Sequence, residues 1–384
     1  MITGKKVECD FCQGYKVEGV YRPADSMREA EVSVCHDCGL VQTVYGLNQY
    51  ERHAGSISSG AGWGNIRHGK QLRLDVNMHL IEKYISTEPG CVLDIGANRG
   101  DFINWVNKYR PGVHVDAIEP DISLHHLYES NTNVKIIGNR IEDVDLKPGG
   151  YDFALCLHSL EHAASALGML SQARNSLRPG GHLLLELPDL EQINDVFIVE
   201  EFFIDKHSFH LDDFTLRRCF SYLGLKVVDQ LVPDGRNLNY ILEVVAPSDM
   251  LLDNAVAQMN ILSIKRFANN LESNRSKLSA IAHQISTLAQ RQKVGIWGGG
   301  RIFDALVRFG GLDINGLLVI DDYLAGKIES VHGVSIRKST TLRIEKPQVL
   351  FVLAKGSAKQ IEKLARSYGV RNIVTFDDMF SRLR

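Results

Sequence analysis

The chain has 384 residues, of which 44% are apolar and 23% are charged, a balance typical of globular proteins. This length predicts roughly two to three domains with a sizeable core, which excludes fibrous and largely disordered chains. The formal net charge of -3 excludes a global basic field for nucleic acid, so a nucleic-acid partner is not expected. Without a long apolar run or an apolar segment behind the first lysines, we expect a cytoplasmic protein with no membrane partner.

Two pairs of cysteines open the chain. Cys9 and Cys12 form one CxxC pair, Cys35 and Cys38 form the other, and 22 residues separate them. This pattern predicts a closed tetrahedral zinc site that is structural, because four thiolates leave no open position. A redox dithiol and unrelated free thiols are the alternatives. Since a short segment cannot build a core alone, we expect residues 1–50 to be a zinc-binding module that the metal folds.

A periodic segment at residues 72–85 predicts a helix, and an apolar strand at residues 91–95 then runs into a glycine-containing turn. A second strand, at residues 113–118, ends in an acidic residue. In nucleotide-binding α/β folds, glycines allow a ligand to approach the backbone, and an acid at the second strand tip accepts hydrogen bonds from ribose hydroxyls. The candidate cofactor-binding residues here are Asp94, Gly96, Ala97, Gly100, Glu119 and Pro120.

The following residues repeat the alternation of strands and helices. Strands are predicted at residues 134–137, 151–157 and 182–187, followed by a closing hairpin at residues 225–232 and 238–245. Glu142 follows the third strand, and His158 follows the fourth at the edge where open α/β sheets bind ligands. Both are further candidate cofactor-binding residues.

The D-x-G-x-x-x-G turn, the acidic strand tip and the run from LHSLEH to LRPGGHLLLELP together resemble class I S-adenosylmethionine-dependent methyltransferases. The resemblance implies an α/β fold with a doubly wound sheet over residues 51–250. It also implies that Glu119 binds the ribose, that Asp94 meets the cofactor ammonium directly or through water, and that Glu142 lies near the adenine. The alternative is a turn that binds another nucleotide or none.

Histidines are the candidate acceptor-site residues. His162 follows the fourth strand, whereas His207 and His210 follow the fifth. An imidazole is suited to take a proton near neutral pH when the nucleophile must lose one. The alternative is that these histidines are structural. Tyr50 and the segment 56–60 form either a lid or a plain linker.

The last third of the chain predicts a helical connector at residues 251–292 and a Rossmann-like domain at residues 293–384. A strand at residues 294–297 leads into the turn Gly298–Arg301, whose backbone N–H groups can face an anion or serve packing alone. Further strands are predicted at residues 317–320, 349–353 and 372–375.

Taken as a whole, the order of modules resembles the nucleotide-sugar C-methyltransferases. That resemblance implies S-adenosylmethionine, a structural zinc and a thymidine-diphosphate sugar held between the core and the terminal, substrate-binding domain. The family usually carries Tyr-His-Glu-His where this chain has Ile204-Asp205-Lys206-His207, so only the last histidine is retained.

The sequence therefore predicts methyl transfer to a small polar metabolite, most of all a nucleotide-linked sugar, with C, O and N acceptors all open. A non-catalytic cofactor-binding scaffold and a methyltransferase acting on a macromolecule are the alternative functions.

Overall fold

The computed structural model describes residues 6–46, 70–85, 90–128, 131–231, 237–326 and 328–382. The chain divides into two compact units. Within the described residues, the first unit comprises everything up to 194 together with 202–265. The second comprises 195–201 and everything from 266 onward. The division therefore falls inside the segment predicted as a connector. Tyr50 and the predicted lid or linker at 56–60 lie outside the described residues.

The cysteine-containing segment folds as an antiparallel sheet with the order β1-β2-β3-β9. Its strands are β1 Val17–Tyr21, β2 Ala30–Cys35, β3 Val41–Tyr45 and β9 Phe209–His210. The sequence did not predict β3 or its partner β9. Because Val41 pairs with His210, this small sheet fixes a segment that is distant in sequence.

A seven-stranded sheet forms the centre of the first unit, in the order β10-β11-β8-β7-β4-β5-β6. Its strands are β4 Cys91–Ile95, β5 His114–Ile118, β6 Val134–Gly138, β7 Tyr151–Leu157, β8 Leu177–Pro188, β10 Leu225–Gln230 and β11 Asn237–Val244. Only β11 runs antiparallel to its neighbours. The predicted strands and the closing hairpin are therefore present.

Both faces of this sheet are buried, which explains why its central strands are continuous apolar runs. Val92 packs in a cluster on one face with Phe153, while Leu93 packs in a cluster on the other face with Ala154. The second cluster also includes Phe11 and Leu40 of the cysteine-containing segment, so that segment shares a core with the large sheet. The covering helices are α1 Lys70–Tyr84, α2 Asp101–Tyr109, α3 Ala166–Ser176 and α4 Asp213–Leu223.

The second unit contains a six-stranded sheet in the order β14-β15-β13-β12-β16-β17. All neighbouring strands are parallel except the β14–β15 pair. The strands are β12 Val294–Trp297, β13 Leu318–Ile320, β14 Ser330–Val331, β15 Val334–Arg337, β16 Val349–Val352 and β17 Ile373–Thr375.

The predicted connector is one long helix, α5 Asn254–Ala289, whose two ends belong to different units. The remaining helices are α6 Arg301–Arg308, α7 Leu342–Glu345, α8 Ala358–Ser367 and α9 Phe376–Ser381. None of the described helices combines the length and apolar character needed to span a membrane.

Candidate functional site

The turn after β4 is held against the tip of β5. The backbone N–H groups of Gly96 and Ala97 both donate to the carbonyl oxygen of Ile118, at 2.7 and 2.9 Å. Gly96 has φ 78° and Gly100 has φ 73°, conformations that side chains with a Cβ rarely adopt. The glycines predicted to shape a ligand turn therefore lie beside the residue that precedes Glu119.

Glu119 is directed into this turn and is buried, with 4% of its surface exposed. Its carboxylate accepts hydrogen bonds from the backbone N–H of Asn98 at 2.5 Å and from that of Asp121 at 2.8 Å. Asp94, in β4, is fully buried. The two N–H groups fix the orientation of the Glu119 carboxylate, whose oxygens can each accept more than one hydrogen bond.

Tyr128 is a residue of this site that the sequence did not indicate. Its side chain is fully buried, and its hydroxyl has no hydrogen-bond partner among the described residues. Burial, followed by the charges of Glu119 and Asp94, raises the pKa of this hydroxyl well above its usual value. Two carboxylates and an unpaired hydroxyl form a donor and acceptor set suited to a ligand with an ammonium group and ribose hydroxyls. Tyr128 lies in an irregular segment, so no periodic pattern could have singled it out.

The other predicted cofactor-binding residues lie nearby in sequence. Pro120 is the residue after Glu119 and is partly buried. Glu142 is partly buried in a short 3₁₀ turn, and its Oε1 accepts a hydrogen bond from the Ala164 N–H at 2.9 Å. Its carboxylate thus links the segment after β6 to the segment after β7.

His158, at the end of β7, lies between two buried carboxylates. Its Nδ1 is 3.1 Å from Glu161 Oε1, and its Nε2 is 3.1 Å from Glu186 Oε1. Glu186 also accepts hydrogen bonds from the side-chain amides of Asn77 and Asn237. Burial raises the pKa of Glu161, but the hydrogen bond and charge of His158 outweigh it, so the net pKa lies well below its usual value.

The three candidate acceptor-site histidines come together in the structure. The ring centroids of His162 and His207 are 4.9 Å apart, and those of His207 and His210 are 6.4 Å apart. His162 Nδ1 donates to the carbonyl oxygen of Lys206 at 2.9 Å. His210 Nε2 lies 2.7 Å from Thr43 Oγ1 of the cysteine-containing sheet. The sequence indicated these histidines but not Glu161, which is 2% exposed and lies 3.9 Å from His162 Nε2.

Burial lowers the pKa of each of these imidazoles. The pKa of His210 falls to about 3, and that of His207 falls well below its usual value. For His162, burial lowers the pKa and the charge of Glu161 partly offsets the change. Burial also lowers the pKa of Lys206.

The segment that carries His207 is anchored on the cysteine-containing sheet through Asp205. The Asp205 carboxylate accepts from the Ser26 hydroxyl at 2.5 Å and from the Met27 N–H at 2.8 Å. The Tyr45 hydroxyl donates to the backbone carbonyls of Asp205 and His207 at 3.0 and 3.1 Å. The acid that departs from the family pattern therefore fixes the loop on which His207 stands.

The four cysteines of the two CxxC pairs meet in one cluster. Cys9 Sγ lies 3.4 Å from Cys38 Sγ, and Cys12 Sγ lies 3.5 Å from Cys35 Sγ. Four sulfurs placed about 2.3 Å from one tetrahedral ion are separated by roughly 3.8 Å, so this cluster fits a metal ion.

The turn after β12 in the second unit is hydrogen-bonded to the tip of the next strand, including the carboxylate of Asp321. The N–H of Gly298 donates to Ile320 O at 2.8 Å, and that of Gly299 donates to Asp321 Oδ2 at 3.1 Å. Asp321 Oδ1 also accepts from the N–H groups of Tyr323 and Leu324. Two of the N–H groups predicted to face an anion are thus already hydrogen-bonded.

Residues 67–230 match the profile of a family described as a methyltransferase domain. A curated relative, the tRNA U34 carboxymethyltransferase of Desulforapulum autotrophicum, is 26% identical over 144 residues. That alignment covers 36% of this chain and 41% of the relative, so the chain spans less than half the relative's length.

Two solved structures are similar to this chain at lower sequence identity. An S-adenosylmethionine-dependent methyltransferase from Mesorhizobium loti is 11% identical with a TM-score of 0.38, covering 44% of this chain and 97% of that one. A second from Aquifex aeolicus is 14% identical with a TM-score of 0.40, covering 51% of this chain and all of that one, 100%.

The profile match extends across the glycine turn, the buried carboxylate at the tip of β5 and the histidine cluster. This stretch of the chain is therefore similar to a methyltransferase domain.

Proposed function

We propose that this protein transfers a methyl group from S-adenosylmethionine to a small polar metabolite, most of all a nucleotide-linked sugar. One observation carries the proposal. Ser159 Oγ donates to Ile95 O at 3.0 Å, which joins the segment bearing His158, Glu161 and His162 to the glycine turn. A cofactor bound in the turn and an acceptor beside the histidines would therefore lie next to each other, as methyl transfer requires.

The cofactor would be held by the residues of the first turn. Glu119 accepts hydrogen bonds from the ribose hydroxyls, Asp94 faces the ammonium group, and the Tyr128 hydroxyl donates to a nearby oxygen. The Gly96-Ala97 backbone and Gly100 would leave room for the amino acid portion of the cofactor. Pro120 and Glu142 would flank its adenine. When bound, the sulfonium supplies the methyl group.

The acceptor would be activated by the histidine cluster. Because His162 Nδ1 donates to the Lys206 carbonyl, the lone pair of the neutral ring lies on Nε2, where it can take a proton from an acceptor hydroxyl or amine. His207, which stands beside it, is the second candidate base. His210 is held by Thr43 and positions His207 through ring contact. Lys206 can pair with an anionic group of the substrate.

The acceptor is proposed to be a sugar on two grounds. The order of modules resembles nucleotide-sugar methyltransferases, and the second unit carries a further glycine turn beside an acid, a pairing that suits a nucleotide ribose. Lys206 stands where the family has a glutamate that helps, with the last histidine, to form an enolate, so the acceptor atom is not restricted to carbon.

We propose that the cysteine cluster binds a structural zinc ion. Cys9, Cys12, Cys35 and Cys38 would hold it, and their sulfur spacing supports this assignment. The ion would stabilise the small sheet on which Asp205 is anchored. Zinc would therefore act on methyl transfer only by keeping the His207 segment in place.

A macromolecular acceptor is the second candidate, and the similarity to a tRNA-modifying relative favours it. The net charge of -3 argues against it because binding to tRNA draws on many phosphate contacts. A scaffold that binds the cofactor without catalysis is the third.

Calorimetry with S-adenosylmethionine, followed by methyl-transfer assays on nucleotide sugars and on bulk tRNA, tests these proposals. We expect cofactor binding and transfer to a nucleotide sugar, with transfer reduced at least a hundredfold in His162→Ala. Transfer to tRNA alone would favour the second candidate. Cofactor binding without transfer to either acceptor would favour a scaffold.

A further inference from the structure

Three ligand-type side chains come together in the histidine cluster, away from the cysteines. Glu161, His162 and His207 each offer one atom, and these atoms lie within 4.8 Å of one another. Glu161 Oε1 is 3.9 Å from His162 Nε2. A small adjustment of the side chains would bring all three atoms to the distances of a shared cation, about 2.0–2.2 Å.

The neighbours of these side chains orient them as metal ligands are usually oriented. His162 donates its Nδ1–H to the Lys206 carbonyl at 2.9 Å, which leaves Nε2 as the ligating nitrogen. His158 Nδ1 lies 3.1 Å from Glu161 Oε1 and orients that carboxylate. The Asp205 contacts hold the loop that carries His207. Such supporting hydrogen bonds tune and rigidify metal sites in proteins.

A second observation points to a missing ligand. Glu161 is 98% buried, yet its Oε2 has no hydrogen-bond partner among the described residues. A buried carboxylate oxygen without a partner is costly, and a cation beside it would remove that cost. The His207 imidazole makes ring contacts with His162 and His210, and its ligand nitrogen lies within 4.8 Å of the ligand atoms of Glu161 and His162. It can therefore turn a nitrogen toward the same point.

We propose that Glu161, His162 and His207 bind one divalent transition-metal ion of the zinc or ferrous-iron class. Two imidazoles and one carboxylate suit these ions, and three protein ligands leave positions open for a substrate. The proposal rests on the proposed function in placing the ion at the acceptor site. There the ion would lower the pKa of an acceptor hydroxyl, and the two histidines would be ligands instead of bases.

The test measures bound metal in the full chain. Protein stripped of metal and dialysed against Co²⁺ is expected to bind two equivalents. One equivalent would show the strong thiolate charge-transfer bands of the cysteine cluster, and the other would lack them. His162→Ala and Glu161→Gln are each expected to lose only the second equivalent. His114→Ala is the matched control, because His114 also lies 3.1 Å from a carboxylate, that of Asp116, and it should retain both.

A wild type whose bound Co²⁺ all shows the thiolate bands, or an equivalent without those bands that persists in both variants, would overturn the proposal. His207→Asn, which keeps a polar side chain of similar reach, provides a second variant if His162→Ala fails to fold, and it too should bind one equivalent. The proposed function fails separately. If two equivalents bind but no acceptor is methylated, the metal site stands and the function is wrong. If methyl transfer depends on His162 while only one equivalent binds, the function stands and the metal site is wrong.

Discussion

The two units of this chain share one local arrangement of a strand, a glycine turn and a carboxylate, but the residues around it differ. In each, a strand runs into a glycine turn, and a carboxylate from the tip of the next strand accepts backbone N–H bonds: Glu119 in the first and Asp321 in the second. Strand β4 of the first unit carries the buried Asp94 two residues before Gly96, whereas Ile296 of β12 has that position in the second unit. The backbone arrangement is therefore shared, but only the first turn has the buried charges that suit a ligand with an ammonium group.

Glu119→Ala should separate the two turns most strongly. Hydrogen bonds to a charged acceptor contribute about 1.5–3 kcal/mol each, so losing two from the ribose should weaken S-adenosylmethionine binding by about a thousandfold. Asp321→Ala should leave that affinity unchanged. Calorimetric titration of both variants measures the difference, and equal losses would show that the cofactor is not bound by the first turn.

Gly96→Ala tests the backbone of the turns. A Cβ at φ 78° costs about 1–2 kcal/mol, and it would also overlap Ser159 Oγ, displacing that hydroxyl from Ile95 O. We expect a loss of about 3 kcal/mol in the free energy of unfolding, together with weaker cofactor binding.

Two glycine controls isolate these contributions. Gly180→Ala, at φ 74° with open space around the Cβ, should show the backbone cost alone. Gly298→Ala, whose Cβ would lie 3.0 Å from the Ala354 nitrogen, should destabilise the protein without changing cofactor affinity. Urea unfolding and calorimetry give both quantities. A Gly96→Ala variant no less stable than Gly180→Ala would contradict the close contact with Ser159.

Asp94→Asn addresses the charge that only the first turn has. We expect S-adenosylmethionine to bind about thirtyfold more weakly, which is about 2 kcal/mol, because the ammonium loses a charged partner. Methylthioadenosine, which lacks the amino acid portion, should bind this variant as well as it binds the wild type but should bind Glu119→Ala poorly. If Asp94→Asn weakens both ligands equally, Asp94 serves the fold of the turn and not the ammonium.

The strands and turns could be predicted from the sequence because their physical origin is local. A strand buried on both faces is a continuous apolar run, and a turn with positive φ requires glycine at a fixed place. The buried polar network could not be predicted in this way. Asn77 and Glu186 are 109 residues apart in sequence, and neither belongs to a periodic pattern.

Short elements and long-range contacts account for the other differences. Strand β9 has two residues, too few for an alternation to be recognised, yet its pairing with β3 places His210 beside Thr43. Asp205 looked like a departure from a catalytic pattern, and its anchoring role depends on Ser26 and Met27, far away in the sequence. The residue types of the histidine cluster were visible in the sequence, whereas Glu161 became a candidate only through its burial.

Asp189, which follows β8 at the same edge as the first turn, should give this unit a dependence of stability on pH. It is 6% exposed, and its pKa is raised to about 6, mainly by burial. The hydrogen bond from the Glu191 N–H lowers the pKa, whereas the charges of Glu191, Asp212 and Asp213 raise it. In the unfolded chain the pKa is about 3.9, so the unfolded state ionises first as the pH rises. The free energy of unfolding should therefore fall between about pH 4 and pH 6, by at most about 3 kcal/mol from this group.

Asp189→Asn keeps an oxygen to accept the Glu191 N–H but cannot ionise, so it should remove this decrease. The variant is expected to match the wild type near pH 4 and to be more stable by about 1–3 kcal/mol at pH 7. Urea unfolding at a series of pH values measures the difference, with the exposed Asp145→Asn as the control. If both variants follow the wild-type curve, the Asp189 carboxyl is not protonated in the folded protein at pH 5.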